Sequence, residues 1–468
     1  MVDRSAGPAR MSAARTLGIL ALLTAGLCSW PSCGGPRPPA LRNVLFIVVD
    51  TLRWDHVGSY GYERDTTPYI DALAGAGVRF DRAYSPSPWT KPSVASMLTG
   101  LYPSGHSVNT MVSGLPSSVQ TLPEILQEQG YLTWGIVSNA LLGPKKGAGF
   151  EQGWERYVEA GSGGHQVVST ERVTRKAVAA LEQITADERP FLLFVHYFDP
   201  HYNYRSHDAG YAPRSVGRLN GNQDIEVLRR MLPELSEPEL RFLRDLYDEE
   251  VRFTDAGIGR LLETLTALGL EDETLVVLTA DHGEELGERG WLGHTRTLYE
   301  ELIRVPLVVR APGVSTAGAV VSTPVSLVSL TPTILELLGI GAGGLAFHES
   351  PITSLIRGDG GRSEALVYGE VDFASFDAAK RARKKSVIGR RFKLVRDDDT
   401  GFTELYDLEQ DPQERENLAA ARPALRDRLR ELMERRFESA RSGTAGARDL
   451  EFDEDEIEAL RSLGYVAP

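Results

Sequence analysis

Three short apolar runs in this chain each lead into residues that can bind a cation or move a proton. Val44–Val49 leads into Asp50, Phe191–Tyr197 into Asp199-Pro200-His201, and Leu275–Thr279 into Asp281-His282-Gly283-Glu284. One strand ending in Asp is a common helix cap. Three such endings, two of them carrying His, point to a shared divalent-cation site. Carboxylates with imidazoles suit zinc or manganese better than the all-oxygen cage that calcium prefers. A fourth segment, Ser87-Pro88-Trp89-Thr90-Lys91-Pro92, offers a nucleophile. Pro92 fits the first turn of a helix and places Thr90 just before its N-terminus, where backbone amides favour an anionic ligand or an alkoxide. The same position also suits a plain helix cap.

These residues need a scaffold that gathers strand ends at one edge, and the apolar pattern predicts one. Val44–Val49, Thr133–Ser138, Phe191–Tyr197, Leu275–Thr279 and Val305–Val309 have the length and composition of strands buried on both faces. Helical patterns lie between them at Pro68–Ala76, Leu122–Gln129, Ser169–Thr185 and Pro238–Ala267. The alternation implies an α/β fold with a mostly parallel sheet, helices on both faces and a site at the carboxyl ends of the strands. In the longest helix, Ser236 and Glu239 form a capping box, and Asp245, Asp248, Glu249 and Glu250 read as a solvated face. Beyond Ala311-Pro312-Gly313 the pattern changes to a helix over Val328–Leu338, strands over Ser386–Val395 and Phe402–Leu408 joined by an Asp397–Gly401 turn, and a closing helix over Arg422–Arg441. A terminal amphipathic helix is expected over Glu451–Leu463. The basic cluster Arg381, Arg383, Lys384, Lys385, Arg390 and Arg391 reads as a solvated strand edge that discourages pairing. The expected division is residues 1–40 as a leader and linker, 41–345 as the catalytic α/β domain, and 346–468 as a small antiparallel subdomain with a helical tail.

Composition narrows the function classes. The chain has 468 residues, and its 65 acidic against 51 basic residues give a formal charge of −14, the opposite of a nucleic-acid binder. Its 2 cysteines, Cys28 and Cys33, allow no disulfide framework and no cysteine nucleophile in the body of the chain. Arg4, Arg10 and Arg15 precede the apolar run Leu17–Leu27, the pattern of an export signal. Ser32-Cys33-Gly34-Gly35 resembles a bacterial lipoprotein signal, with an ordinary cleaved signal as the alternative. A periplasmic, cell-envelope or secreted protein is expected, reaching a membrane only through such an anchor.

The ordered motifs resemble the sulfatase family of the alkaline phosphatase superfamily. The resemblance rests on Ile47–Arg53, Thr90–Pro103, Phe198–His201, Thr279–Gly290 and Tyr299–Leu307, with Arg391–Leu394 and Glu404–Asp407 similar to the family's C-terminal subdomain. It implies an alkaline-phosphatase-like fold with Asp50, Asp281 and His282 as metal ligands, and Thr90 as both ligand and nucleophile. His201 and His294 would contact the anion or the leaving group. Zn or Mn is the expected ion, with Ca or Mg as alternatives. Asp199 would orient His201 or add to a partial second metal site. His56, His106, His196 and His348 are read as structural.

The chain departs from the family where sulfate chemistry is set. Sulfatases carry a Cys or Ser that matures to formylglycine, followed by an Arg; here the residues are Thr90 and Val94. The family's Gly-Lys-Trp-His segment is matched by Val137-Ser138-Asn139-Ala140, without the Lys, and its second Asp is Thr51. Threonine lacks the second hydroxyl by which a formylglycine hydrate sheds sulfate, whereas a phosphothreonine can be opened in line at phosphorus. Thr nucleophiles occur in the superfamily's phosphodiesterases and phosphoglycerol or phosphoethanolamine transferases, and the spacing of His294 from Asp281 matches the latter. The expected function is therefore a metal-dependent hydrolase or transferase of phosphoesters of a lipid, glycan or small molecule. The alternatives are a true sulfuric ester hydrolase and a non-catalytic surface-binding protein on the same fold.

Overall fold

A computed structural model describes residues 41–144, 148–161, 169–360, 365–373, 381–441 and 448–449. Cys28, Cys33 and the helix expected over Glu451–Leu463 lie outside these residues. The central sheet contains β1 (Asn43–Val49), β2 (Val78–Phe80), β3 (Leu132–Val137), β4 (Arg156–Glu159), β5 (Phe191–Tyr197), β6 (Thr274–Ala280), β7 (Leu307–Arg310) and β8 (Ala319–Val321). Their spatial order is β8-β2-β7-β6-β1-β5-β3-β4. β1 pairs in parallel with both β5 and β6, and all three strands are buried along their whole length. That burial is what their unbroken apolar character requires. β7 runs antiparallel to β6 and β2. Pro306 separates it from the two-residue strand Arg304–Val305, so the run expected over Val305–Val309 is split between two sheets.

The larger helices are α1 (Pro68–Ala76), α2 (Thr90–Thr99), α3 (Leu122–Glu128), α4 (Thr170–Ile184), α5 (Glu237–Ala267), α6 (Leu330–Leu337) and α7 (Pro423–Arg441). α1, α4 and α5 pack on one another, while α2 packs on α3 and α6, giving a helical layer on each side of the sheet. Both α3 and α5 open with a complete capping box, Thr121 with Glu124 and Ser236 with Glu239. Among the described residues, no helix is long and apolar enough to cross a membrane.

The carboxylates of α5 do not form a solvated face. Asp245, Asp248, Glu249 and Glu250 are all buried, because neighbouring loops fold onto them. Asp248 accepts from Tyr62 and Arg64 and pairs with His56, and Glu249 accepts from the backbone N–H groups of His207, Tyr211 and Ala212.

The C-terminal sheet is antiparallel, with β9 (Val367–Phe373), β10 (Ala382–Ile388), β11 (Phe392–Asp397) and β12 (Thr403–Asp407) in sequential order. The segment expected as one strand, Ser386–Val395, is two strands joined by a turn at Gly389, whose N–H donates to Phe392 O. The basic cluster is not an edge either. β10 lies inside the sheet, and Arg383, Lys384, Lys385 and Arg391 pair with Asp399, Asp397, Asp398 and Asp407.

Candidate active site

The parallel register puts Val49 level with Tyr197 on one side and Ala280 on the other. Asp50 and Asp281 therefore leave adjacent strands at the same edge, both fully buried. Thr51 turns the chain with a positive φ of 57°, which lets its N–H donate to Asp281 Oδ1 at 3.3 Å. Its hydroxyl donates to Asp50 O at 2.7 Å, so Thr51 offers no side-chain ligand in place of the family's carboxylate. His282 Nδ1 donates to Gly283 O at 2.9 Å, which fixes the lone pair on Nε2. That nitrogen lies 3.5 Å from Asp50 Oδ1 and 3.6 Å from Asp281 Oδ2.

Burial holds the His282 imidazole below its usual pKa and so keeps it neutral, as a ligand must be. Burial and the neighbouring Asp281 push the Asp50 carboxyl well above its usual range. Asp281 is equally buried, but the His282 and His196 rings hold its carboxyl down. Among the described residues, Asp50 Oδ1 and Asp281 Oδ2 have no hydrogen-bond partner. Two buried carboxylates with orphaned oxygens beside a neutral imidazole form a donor set that fits a divalent cation.

Thr90 is the first residue of α2, so the helix starts two residues earlier than the position of Pro92 implies. Trp89 is the N-cap residue, and the Thr90 hydroxyl serves no capping role. It lies 3.3 Å from His282 Nε2 and 3.5 Å from Asp50 Oδ2. The Asn139 amide completes its surroundings. Leu141 N–H donates to Asn139 Oδ1, which orients Nδ2 to donate to Asp50 Oδ2 at 2.7 Å and to Thr90 Oγ1 at 3.2 Å.

His201 and His294 come to the same place from different segments, their ring centroids 4.9 Å apart, and the His294 ring lies 4.5 Å from that of His282. His201 Nδ1 donates to Tyr202 O at 2.9 Å, and His294 Nδ1 meets Glu284 Oε1 at 2.8 Å. Burial pushes the Glu284 carboxyl well above its usual range. All six residues expected at the site, Asp50, Thr90, His201, Asp281, His282 and His294, are thus brought together.

Asp199 does neither of the things expected of it. Its Oδ2 accepts from Ser169 N, Thr170 N and Thr170 Oγ1 at 3.0, 2.8 and 2.6 Å, so it tethers the start of α4. His196 was expected to be structural, yet its ring joins Asp50 and Asp281 in a buried cluster whose potential ligand atoms lie within 4.8 Å of one another. His56, paired with Asp248 at 2.6 Å, and His106, hydrogen-bonded to Ser96 at 2.9 Å, are structural as expected. His348 is as well, taking the N–H of Tyr102 at 3.0 Å. Asn139 carried no motif in the sequence. Its one signal was that it stands at the end of a strand beside the missing Lys.

Comparison with known proteins matches residues 42–340 to the sulfatase family model and residues 287–442 to the model for the C-terminal region of N-sulphoglucosamine sulphohydrolase. An N-acetylglucosamine-6-O-sulfatase of Bacteroides thetaiotaomicron is 25% identical over 85% of this chain and 86% of its own length. A choline-sulfatase of Rhizobium meliloti is 28% identical over 81% and 82%. The solved structure of a phosphonate monoester hydrolase from Silicibacter pomeroyi shares the fold, with a TM-score of 0.69 at 22% identity, covering 88% of this chain and 100% of that one.

Proposed function

The chain belongs to the sulfatase family of the alkaline phosphatase superfamily, and from that premise we propose that it is a hydrolase or transferase that opens phosphoric esters through Thr90. The observation that carries this reading is the Thr90 hydroxyl itself, 3.3 Å from His282 Nε2 and 3.2 Å from the Asn139 amide, at the position where sulfatases need an aldehyde hydrate. A divalent cation held by Asp50, Asp281 and His282 would lower the pKa of the Thr90 hydroxyl and neutralise charge on the ester.

Attack by Thr90 Oγ1 on phosphorus forms a phosphothreonine and breaks the bond to the leaving oxygen, which takes a proton and departs as an alcohol. His201 and His294 are the proton carriers. Each has Nδ1 committed to a fixed acceptor, so the proton to be transferred belongs at Nε2. Water, or an acceptor alcohol, then displaces Thr90 from phosphorus and restores the hydroxyl. Asn139 orients the hydroxyl and the Asp50 carboxylate together.

Hydrolysis of a sulfate ester is the second reading, favoured by the sulfatase activities named for the relatives. The two separate in one comparison. Purified protein supplied with Zn or Mn is assayed against nitrophenyl phosphate, bis-nitrophenyl phosphate, phenylphosphonate and nitrophenyl sulfate. Phosphorus esters should be turned over faster than the sulfate, and Thr90→Ala should lose about 10³-fold or more in kcat. Sulfate turnover exceeding that of every phosphorus ester overturns the phosphoester reading.

A further inference from the structure

We propose that His196 is a protein ligand of the same cation, supplying the donor that this chain lacks at Thr51. The inference rests on Asp50, Asp281 and His282 forming a cation site.

His196 is the next-to-last residue of β5, level with Val48 of β1, and is fully buried. The rest of its strand is aliphatic or aromatic, so a residue needed only for packing there would be apolar too. Among the described residues, neither Nδ1 nor Nε2 of His196 has a hydrogen-bond partner. A buried imidazole left in this state is unfavourable unless something takes its lone pair. The nearest charged group is Asp281 Oδ2, 3.6 Å from His196 Nε2 and also 3.6 Å from His282 Nε2. Both the oxygen and His196 Nε2 are orphaned. Separations of this size are expected between donors that share one first-row ion at bond lengths of about 2.0–2.2 Å.

Thr51 makes the substitution necessary. Its hydroxyl is tied to Asp50 O, and its backbone turn serves to bring its N–H to Asp281. A second carboxylate is therefore missing, and a ring nitrogen from the neighbouring strand stands close to the same two aspartates. The exchange has a chemical consequence. With His196 and His282 both ligating, the set holds two nitrogens, which shifts its preference from calcium or magnesium toward zinc and cobalt.

The test reads metal binding rather than turnover. Protein stripped with chelator is titrated with Co(II), following its visible absorption, and with Zn(II) and Ca(II) in competition. His196→Leu keeps the volume of the side chain and removes the donor. It should weaken Co(II) and Zn(II) at least about tenfold and narrow their advantage over Ca(II), with the melting temperature of the stripped protein unchanged. Asp281→Asn serves as the reference. If it leaves Co(II) binding intact, the cation site itself is wrong. If it abolishes binding while His196→Leu does not weaken it, the site stands and the role of His196 is overturned. Should His196→Leu fail to fold, spin-echo modulation of the Cu(II)-loaded unaltered chain counts coordinated imidazoles. Two are expected, and a single one overturns the proposal.

Discussion

At the residue scale, Asn139 shows how one amide can set the state of a nucleophile. Its Oδ1 is held by Leu141 N–H, so Nδ2 is aimed at Asp50 and Thr90 and cannot flip without losing three contacts. Asn139→Ala should lower kcat on the best ester by about 10²-fold, the scale of a lost preorganised donor. Asn139→Asp should lower it further, because it sets a third carboxylate beside Asp50 and Asp281. Equal activity of wild type and Asn139→Ala in steady-state assays would remove Asn139 from the machinery. Much of the site could be read from residue types alone. Asp50, Asp281 and His282 stand at strand ends and Thr90 at a helix start, where local pattern and chemistry coincide. Asn139 and His196 could not be read that way. An Asn after a strand is an ordinary turn residue, and His196 sits within an apolar run, where only the neighbouring strands reveal what it faces.

At the scale of elements, helix α5 works as a polar clamp. Glu250 accepts from Arg205 N–H and lies 2.7 Å from His207 Nε2, while Asp255 accepts from Tyr69 N–H and Ile70 N–H at the start of α1. The helix itself was legible, with its capping box and its bounds within a residue. The burial of its carboxylates was not, because their partners are mostly loop amides, which leave no trace in a pattern of side chains. Burial pushes Glu250 and Asp255 each up to about 7. The folded protein therefore keeps protons that the unfolded chain releases between about pH 4 and pH 7, and stability falls as pH rises through that window. The melting temperature should accordingly increase when pH is lowered from 8 to 6, by about 2 °C or more. Asp255→Asn, which cannot titrate, should show a smaller increase. Parallel pH profiles of the two proteins in scanning calorimetry would contradict this account of Asp255.

At the scale of the molecule, the C-terminal sheet supports the wall behind the nucleophile. Trp89, the residue before Thr90, packs edge-on against Phe373 of β9 at 5.3 Å, within a cluster that includes Leu302, Ile303, Ile388 and Val395. Beside that cluster, Lys393 of β11 is fully buried, with Nζ 3.1 Å from Glu300 Oε1 and 2.9 Å from Glu414 Oε1. Although burial opposes its charge, the two carboxylates hold the Lys393 ammonium above its usual pKa. Glu414 also accepts from Glu300 N–H at 2.7 Å, so the triad ties a strand of the small sheet to the segment that follows His294. A buried ion cluster of this kind contributes little net stability but is costly to break in part. Lys393→Met should therefore destabilise the protein by about 3 kcal/mol in urea unfolding, because it leaves two carboxylates facing each other. The combined variant with Glu300→Gln and Glu414→Gln should recover most of that loss, since no uncompensated charge remains. If the triple variant were no more stable than Lys393→Met alone, the loss would come from packing around the lysine stem instead. The triad would then be a spacer between the two sheets, with its charges incidental to holding Trp89 against the start of α2.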